Sequence, residues 1–329
     1  MTRSPMRRFR LLLLLCAIGS AHAALAQAPD NYPSRPVRLI TNFAAGGAID
    51  AVARAVGARL AETMGQPFVV DNRPGAGGNI GADAVAKAKP DGYTLLVTLD
   101  TALTVNPSLY GKLPFDPARD FAPISLAVAA PLVLLTRPGL PAATLRDFVA
   151  LARAKPKALS FASAGTGTAG HLAAALLAQV AGFDYLDVAY KGGPQAITDV
   201  AADLADFTVL SFTVTAPMIK AGKLRAVAIT GSARLAAYPE LPTVAESGYP
   251  GYEVRFWIGL LAPAGTPRPL IARLNGEIMR ALQHPQARDL LAAQNLDTIG
   301  NSPEEFAAVI EKDTARWSKI IRESGARAN

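Results

Sequence analysis

Three glycine-rich turns each lie between an apolar run and a segment with the spacing of an amphipathic helix. They are Gly46-Gly47 before Ile49, Gly75-Ala76-Gly77-Gly78 before Ile80, and Gly165-Thr166-Gly167-Thr168 before His171. The first N–H groups of a helix are unpaired and lie at the positive end of its dipole, where they attract carboxylates or phosphates. Glycine lets a ligand approach that backbone closely. Alternatively, such glycines only permit tight turns, and a single loop does not distinguish the two roles.

The third turn also matches a nucleotide-binding pattern. Residues 165–170 have the spacing G-x-G-x-x-G between a strand and a helix, and Asp184 and Asp187 follow near the expected acidic position. The pattern lies in mid-chain, however, and Asp187 falls inside an apparent strand rather than at its end. A nucleotide site is therefore the less favoured alternative.

Several other side chains are of types that could bind a ligand or take part in catalysis. His171 opens a helix beside the threonine-rich loop, where it either approaches an anion or caps the helix. Asp50 follows Gly46-Gly47 in a first helical turn, and this position favours a carboxylate that binds free N–H groups over a catalytic acid. Lys191 is either a cationic donor or a solvated lysine. Phe256 and Trp257 are expected in the core. The chain has no Gly-x-Ser-x-Gly elbow, which argues against one class of serine hydrolase.

The N-terminus has the pattern of a secretory signal peptide. Four arginines, Arg3, Arg7, Arg8 and Arg10, precede an apolar run over residues 11–18, and two Ala-x-Ala sequences end at Ala23 and Ala26. The run is too short to span a bilayer, so we expect residues 1–26 to be cleaved and the mature protein to be periplasmic. A retained membrane anchor is the alternative.

Cleavage would change the chemistry of the chain. Removing four arginines and no acid lowers the formal net charge from +7 to +3, so the basic composition gives no reason to expect nucleic acid as a partner. The single cysteine, Cys16, leaves too, and with it any disulfide or thiolate chemistry. Only His171 and His284 would remain as histidines, so we expect no metal, no cofactor and no catalytic residues.

The 329 residues suit two lobes rather than one core. Short apolar runs alternate with amphipathic helices, such as those over residues 49–64 and 171–181, which predicts an α/β fold whose sheets are mainly parallel. Pro131 interrupts a long apolar stretch and indicates a crossing between lobes. A stretch rich in proline and glycine, residues 239–252, indicates the return crossing. We therefore expect residues 27–130 and 250–329 in lobe 1 and residues 131–249 in lobe 2.

Many collinear motifs resemble one family, the periplasmic binding proteins of tripartite tricarboxylate transporters, also called the Bug family. The motifs are residues 32–37 (YPSRPV), 43–47 (FAAGG) with Asp50, 72–78 (NRPGAGG), 90–96 (PDGYTLL), 106–110 (NPSLY), 190–192 (YKG), 221–225 (AGKLR), 241–248 (LPTVAESG) and 262–267 (APAGTP). They cover nearly the whole mature chain.

The resemblance implies a two-lobed Venus-flytrap fold that binds a small carboxylate in the cleft between its lobes. Backbone amides of the first and third loops would hold the carboxylate, with ordered waters bridging. By this resemblance one wall comprises Phe43, Ala45, Gly46, Gly47, Ala48, Asp100, Thr101 and Ala102. The facing wall comprises Gly165, Thr166, Gly167, Thr168, Tyr190 and, from its position, His171.

Three positions depart from the family pattern. Ile49 stands where a small hydroxyl residue is common, Asp100 where a neutral small residue is usual, and Leu210-Ser211 in place of a common acidic position. Ser211 is therefore added to the expected site. Because an ionised Asp100 would repel a second carboxylate, we expect a ligand with one carboxylate and an amine, hydroxyl or aromatic part, the amine or hydroxyl pairing with Asp100.

A binding protein is therefore the expected class. The expected partners are the small carboxylate and either membrane transporter subunits or a sensor receptor, and the protein is expected to be a monomer. A sensor role and an exported enzyme are the alternatives. No feature of the sequence separates transport from sensing.

Overall fold

The computed structural model describes residues 31–190 and 192–324, so the predicted signal peptide and Lys191 lie outside the described residues. The strands are β1 (Val37–Thr41), β2 (Phe68–Asn72), β3 (Thr94–Leu99), β4 (Phe121–Thr136), β5 (Ser160–Ser163), β6 (Leu186–Ala189), β7 (Phe207–Ser211), β8 (Arg225–Ile229), β9 (Arg255–Pro263) and β10 (Asp297–Thr298). The helices are α1 (Ala48–Met64), α2 (Asn79–Ala86), α3 (Thr101–Thr104), α4 (Asn106–Leu109), α5 (Leu145–Ala154), α6 (Ala169–Ala181), α7 (Gly193–Ala201), α8 (Phe212–Lys220), α9 (Arg268–Gln283), α10 (Pro285–Ala292) and α11 (Pro303–Ser324).

The strands form two sheets that share β4. The first has the order β2-β1-β3-β9-β4, with β10 added beside β4, and the second has the order β4-β7-β5-β6, with β8 also paired to β4. This confirms the expected α/β fold with two lobes.

The sheets are mixed, however, rather than mainly parallel. Strands β1, β2 and β3 are parallel to each other, and so are β5, β6 and β7. Strands β4 and β9 pair antiparallel to each other, β4 pairs antiparallel with β7, β8 and β10, and β9 with β3. The reason is that β4 leads out of the first sheet and β9 returns to it, so the two strands run in opposite directions.

Strand β4 changes partners in the middle of its length. Residues up to Pro131 pair with β9, and those from Leu132 onward pair with β7. The buried Thr230, just after β8, joins the crossing segments: its hydroxyl accepts a hydrogen bond from the Leu132 N–H (2.8 Å) and donates one to the Val254 carbonyl (2.7 Å). Thr230 therefore joins the point at which β4 changes partners to the connection that leads from β8 back to β9.

Each sheet is covered by helices whose apolar faces form its core. In α1 the buried Val52, Val56 and Leu60 recur every four residues, which places them on one face of the helix. The second sheet packs on an aromatic cluster with ring centroids 4.9–6.3 Å apart, comprising Phe148, Phe161, Phe183, Tyr185 and Phe207. Most of these ring pairs have the edge-to-face geometry that aromatic side chains favour.

Across the described ranges, no helix combines the length and the apolar character needed to cross a membrane.

Gly259 in β9 provides a test of the packing between the first sheet and α11. A Cβ atom at this position would lie 2.2 Å from Cζ of the fully buried Phe306. We expect Gly259→Ala to lower the free energy of unfolding by about 1–3 kcal/mol, because the Phe306 ring is held in a packed core and cannot move far enough to make room for the added methyl group. Urea denaturation measures the difference.

Gly276, inside α9, is the matched control. A Cβ there would meet only the end of the Arg280 side chain, at 3.9 Å. We expect Gly276→Ala to be neutral or to stabilise the protein by up to about 1 kcal/mol, as alanine does in a helix. Equal unfolding midpoints for Gly259→Ala and the wild type would contradict the described packing.

Candidate functional site

A cavity of about 300 Å³ lies between the two sheets, near the crossing point of β4. The first sheet and its loops contribute Phe43, Ala44, Gly47, Ala48, Ile49, Leu99, Asp100, Thr101 and Phe256. The second sheet and its loops contribute Leu132, Ala164, Thr168, Ala169, Gly170, Val209, Leu210 and Ser211. Most of these side chains are apolar, so the polar groups of the cavity are few and their identities decide what can bind.

The first glycine loop brings the start of α1 to the cavity. Gly47 precedes the helix in an extended conformation, and no side chain caps the helix start. The Asp50 carboxylate instead accepts hydrogen bonds from the Gly46 N–H (3.1 Å), Arg54 Nε (2.9 Å) and Asn72 Nδ2 (3.1 Å). The carboxylate therefore binds one free amide, that of Gly46, but it does not cap the helix start as expected. The helix-start amides beside Ala48 remain uncapped next to the cavity.

These contacts also set the ionisation of Asp50. The hydrogen bond from Arg54 lowers the pKa of the carboxyl group, burial opposes this, and the bonds from Gly46 and Asn72 lower the pKa further. Asp50 is therefore a carboxylate at neutral pH, and its charge is neutralised within the protein.

The third glycine loop is braced by its own side chains. The Thr168 hydroxyl accepts a hydrogen bond from the His171 N–H (3.4 Å) and donates one to the Gly165 carbonyl (2.8 Å). His171 Nδ1 accepts the Gly167 N–H at 3.1 Å. The Gly167 amide is thus occupied, and Thr168, Ala169 and Gly170 reach the cavity instead.

His171 is buried behind this loop rather than exposed to the cavity. It is 7% exposed, and its Nε2 lies 3.6 Å from the Asp187 carboxylate. Burial lowers the pKa of His171, and Asp187 partly opposes that shift. The ring is therefore neutral at pH 7, as its acceptor role toward Gly167 requires.

Gly167 also touches the opposite lobe. With φ of 79°, its Cβ position would be 2.2 Å from Cδ2 of Leu109 in α4. One hydrogen bond also joins the two sides: the Thr213 hydroxyl donates to the Gln294 carbonyl at 2.6 Å. The loops of the two sheets are therefore in contact around the cavity.

The second glycine loop has a different role. Gly78, with φ of 92°, packs so closely on Asn42 that a Cβ would lie 2.5 Å from Nδ2. Asn42 donates to the Gly78 carbonyl (3.2 Å) and the Thr98 hydroxyl (2.8 Å). None of residues 75–78 lines the cavity. This loop supports the base of the first loop.

Asp100, at the end of β3, is a buried carboxyl group in the cavity wall. The residue is 2% exposed, and within the described chain neither its Oδ1 nor the Thr101 hydroxyl has a hydrogen-bond partner. Burial raises its pKa well above the usual range, and the Asp313 carboxylate raises it further, against a smaller effect of the Thr101 amide. Asp313 accepts the Trp257 indole N–H at 2.8 Å.

The structure brings part of the predicted site to the cavity. The expected residues that line it are Phe43, Gly47, Ala48, Asp100, Thr101, Thr168 and Ser211. Those outside its lining are Ala45, Gly46, Ala102, Gly165, Thr166, Gly167, His171 and Tyr190. The Tyr190 hydroxyl points elsewhere, donating to Asp199 at 2.6 Å, which raises the pKa of Tyr190 to about 12.

Sequence reasoning missed several apolar residues of the cavity wall. Phe256 was expected only as core, and Leu132 and Val209 had no functional signal of their own. An apolar side chain facing a cavity has the same sequence pattern as one facing the core. The position of Leu132 directly after Pro131 was the one available indication.

Two glycines of the nucleotide-like pattern, Gly167 and Gly170, are accounted for by packing. A Cβ on Gly170 would lie 2.0 Å from the Val209 carbonyl, so this glycine lets α6 approach β7. Gly167 packs on Leu109, and Asp187 faces His171. The described residues also contain no group of three or more histidine, cysteine, aspartate or glutamate side chains placed to hold a metal ion.

Comparisons of sequence and structure find one family. The sequence model described as "Tripartite tricarboxylate transporter family receptor" matches residues 52–326. A UPF0065 protein from the tcbD-tcbE intergenic region of Pseudomonas sp. (strain P51) is 40% identical over 98% of this chain and 96% of its own. Protein BugT of Bordetella pertussis is 36% identical over 98% of this chain and 99% of its own.

Solved structures of similar proteins contain carboxylates. R. palustris Rpa4515 with adipate has a TM-score of 0.81 and 33% identity, over 90% of this chain and 99% of its own. MatC from Rhodopseudomonas palustris with bound malate has a TM-score of 0.76 and 32% identity, over 88% of this chain and 100% of its own.

The Asp50 contacts predict a pH-dependent stability. Because the folded state lowers the pKa of Asp50, its stabilisation is complete above the unfolded pKa of about 3.9 and is lost as pH falls through the folded value. We expect Asp50→Asn to lower the free energy of unfolding at pH 7 by about 1–3 kcal/mol, the value of hydrogen bonds to a charged group. Denaturation from pH 7 to pH 3 should show the difference shrinking.

The exposed Asp289, whose side chain makes no hydrogen bond in the described structure, supplies the control. We expect Asp289→Asn to follow the wild type at every pH. A penalty for Asp50→Asn that is constant between pH 7 and pH 3 would show that the carboxylate charge is not what stabilises the loop.

Proposed function

The chain belongs to the tripartite tricarboxylate transporter receptor family, and on that premise we propose that it captures an organic carboxylate in its cavity for a membrane transporter. The observation that carries the proposal is the uncapped start of α1 at a mainly apolar cavity. Free N–H groups at a helix start bind an anionic oxygen well where little water competes. The solved relatives with adipate and malate support a carboxylate as the ligand.

The cavity wall favours a ligand with an apolar body. Phe43, Leu132 and Phe256 would surround that body, while the helix-start amides would hold the carboxylate. A volume of about 300 Å³ is at the small end of the usual range for small-molecule sites. We therefore propose a small carboxylate with an aliphatic or aromatic part.

Ligand capture would use a hinge between two lobes, residues 27–130 with 250–329 and residues 131–249. The chain crosses between the sheets near Pro131 and returns between β8 and β9, and Thr230 binds both crossings. A ligand that contacts both lobes shifts the equilibrium toward the closed form by its preference for that form. The contact of Gly167 with Leu109 would belong to the closed form.

We further propose that the protein acts in the periplasm after removal of residues 1–26. The signal-peptide pattern and the periplasmic binding protein BugD among its structural relatives support this location. Expression in a Gram-negative host should yield a periplasmic protein that begins at Gln27, as N-terminal sequencing would show. A membrane-bound product retaining Arg3 to Arg10 would favour an anchor.

A thermal-shift screen tests the ligand class. We expect small carboxylates with apolar bodies, such as hexanoate, benzoate and adipate, to raise the melting temperature, because a ligand at 100 times its dissociation constant adds about 2.7 kcal/mol. Hexanamide, which matches hexanoate in shape but lacks its charge, is the control. A shift with NAD and with none of the carboxylates would favour the nucleotide alternative.

A further inference from the structure

Asp100 is a buried carboxyl group in the cavity wall, and its role, which rests on the proposed binding function, is inferred from its contacts. It is the one residue with an ionisable side chain among the described residues that line the cavity. It is 2% exposed, and its Oδ1 is buried without a hydrogen-bond partner. The adjacent Thr101 hydroxyl is also buried and unpartnered. Two neighbouring polar groups at this wall thus lack a hydrogen-bond partner within the described residues.

Among the described residues, no positively charged group acts on Asp100. Helix α11 presents Asp313, and the cations near that residue, Lys312 and Arg316, act on Asp313. In β9, the carbonyl oxygen of Trp257 accepts a hydrogen bond from the Asp100 N–H at 3.1 Å. Within the described structure Asp100 takes part in no ion pair.

The other charged groups near the cavity have partners of their own. In the first loop, Asp50 is paired with Arg54. In β9, Arg255 pairs with Asp297. Among the described residues, the second-sheet side of the lining has no titratable side chain: it comprises Leu132, Ala164, Thr168 to Gly170 and Val209 to Ser211. Within the part of the chain that the structure describes, Asp100 therefore faces one carboxylate and no cation.

We propose that Asp100 is a neutral carboxylic acid in the binding cavity and donates a hydrogen bond to an acceptor oxygen at the inner end of the bound ligand. The Thr101 hydroxyl would provide a second contact to the same end. Asp100 would thus select ligands whose inner end carries oxygen acceptors and disfavour those that carry an ammonium group there.

This assignment reverses the pairing expected from sequence. An amine would need Asp100 as an anion, which burial and the neighbouring Asp313 both disfavour. A neutral carboxyl group removes the repulsion toward a second carboxylate and provides a strong donor. Affinity for an acceptor end should accordingly decrease as pH rises through the pKa of Asp100, whereas affinity for an ammonium end would increase.

Three probes of equal chain length separate the possibilities: hexanoate, adipate and 6-aminohexanoate. They share one carboxylate and differ at the far end, which is a methyl group, a carboxylate or an ammonium group. Calorimetric titrations between pH 5 and pH 8 would compare the wild type with Asp100→Asn, which keeps the shape and a donor but does not titrate. Asp289→Asn is the surface control.

We expect the wild type to bind adipate at least tenfold more tightly than 6-aminohexanoate and to lose adipate affinity as pH rises. Asp100→Asn should keep adipate binding within about threefold of the wild type at pH 5 and remove most of the pH dependence. Asp289→Asn should match the wild type. A wild-type preference for 6-aminohexanoate that Asp100→Asn abolishes would overturn the assignment and restore an anionic Asp100.

The unliganded protein provides a readout that needs no probe. Because the folded state raises the pKa of Asp100, the wild type loses stability as pH rises from the unfolded pKa of about 3.9 through the folded value, so Asp100→Asn should be the more stable protein at pH 8 and lose its advantage toward pH 4. Lower stability of Asp100→Asn at pH 8 would contradict the inference.

If none of the three probes binds the wild type, the proposed function itself fails, and the proposed contact between Asp100 and the ligand fails with it.

Discussion

Strand β4 is hydrogen-bonded into both sheets, and the cavity lies where its partner changes from β9 to β7. Pro131, the last residue paired with β9, has no N–H to offer a ladder, and Thr230 takes up the N–H of the next residue, Leu132. This arrangement directs the ends of β1, β3, β5 and β7 toward one space. Because side chains alternate along a strand, a slip of one residue in β4 would turn Leu132 away from the cavity.

Main-chain groups, the Asp100 carboxyl group and the hydroxyl groups of Thr101, Thr168 and Ser211 provide the polar chemistry of this space. The two side chains whose types are best suited to catalysis or ligand binding, Asp50 and His171, instead bind the backbone of the loops. Asp50 binds the Gly46 amide, and His171 accepts the Gly167 N–H. Their role is to hold the loop backbone in place, so that the start of α1 and the start of α6 face the cavity. An apolar wall then strengthens each remaining electrostatic contact, since little water competes there.

Much of the fold could be predicted from the sequence because its signals are local. A helix was expected over residues 49–64, and α1 spans Ala48–Met64. A helix was expected from His171, and α6 begins two residues earlier because Thr168 caps it. Strand β7 and helix α8 were not foreseen, since Phe207–Ser211 shows no alternation of polar and apolar residues. The antiparallel pairing of β4 and β9 was also missed, because strand direction depends on the path of the whole chain.

The sequence by itself determined the strand–turn–helix units, the family and the absence of cysteine after residue 16. Only the tertiary structure decided which glycine serves which purpose. Gly47 lines the cavity, Gly78 makes room for Asn42, and Gly167 makes room for Leu109. The same holds for Asp100, whose pKa is raised by burial and by Asp313. These contacts join residues far apart in the chain, and the energy of a buried charge depends on everything packed around it rather than on its neighbours in sequence.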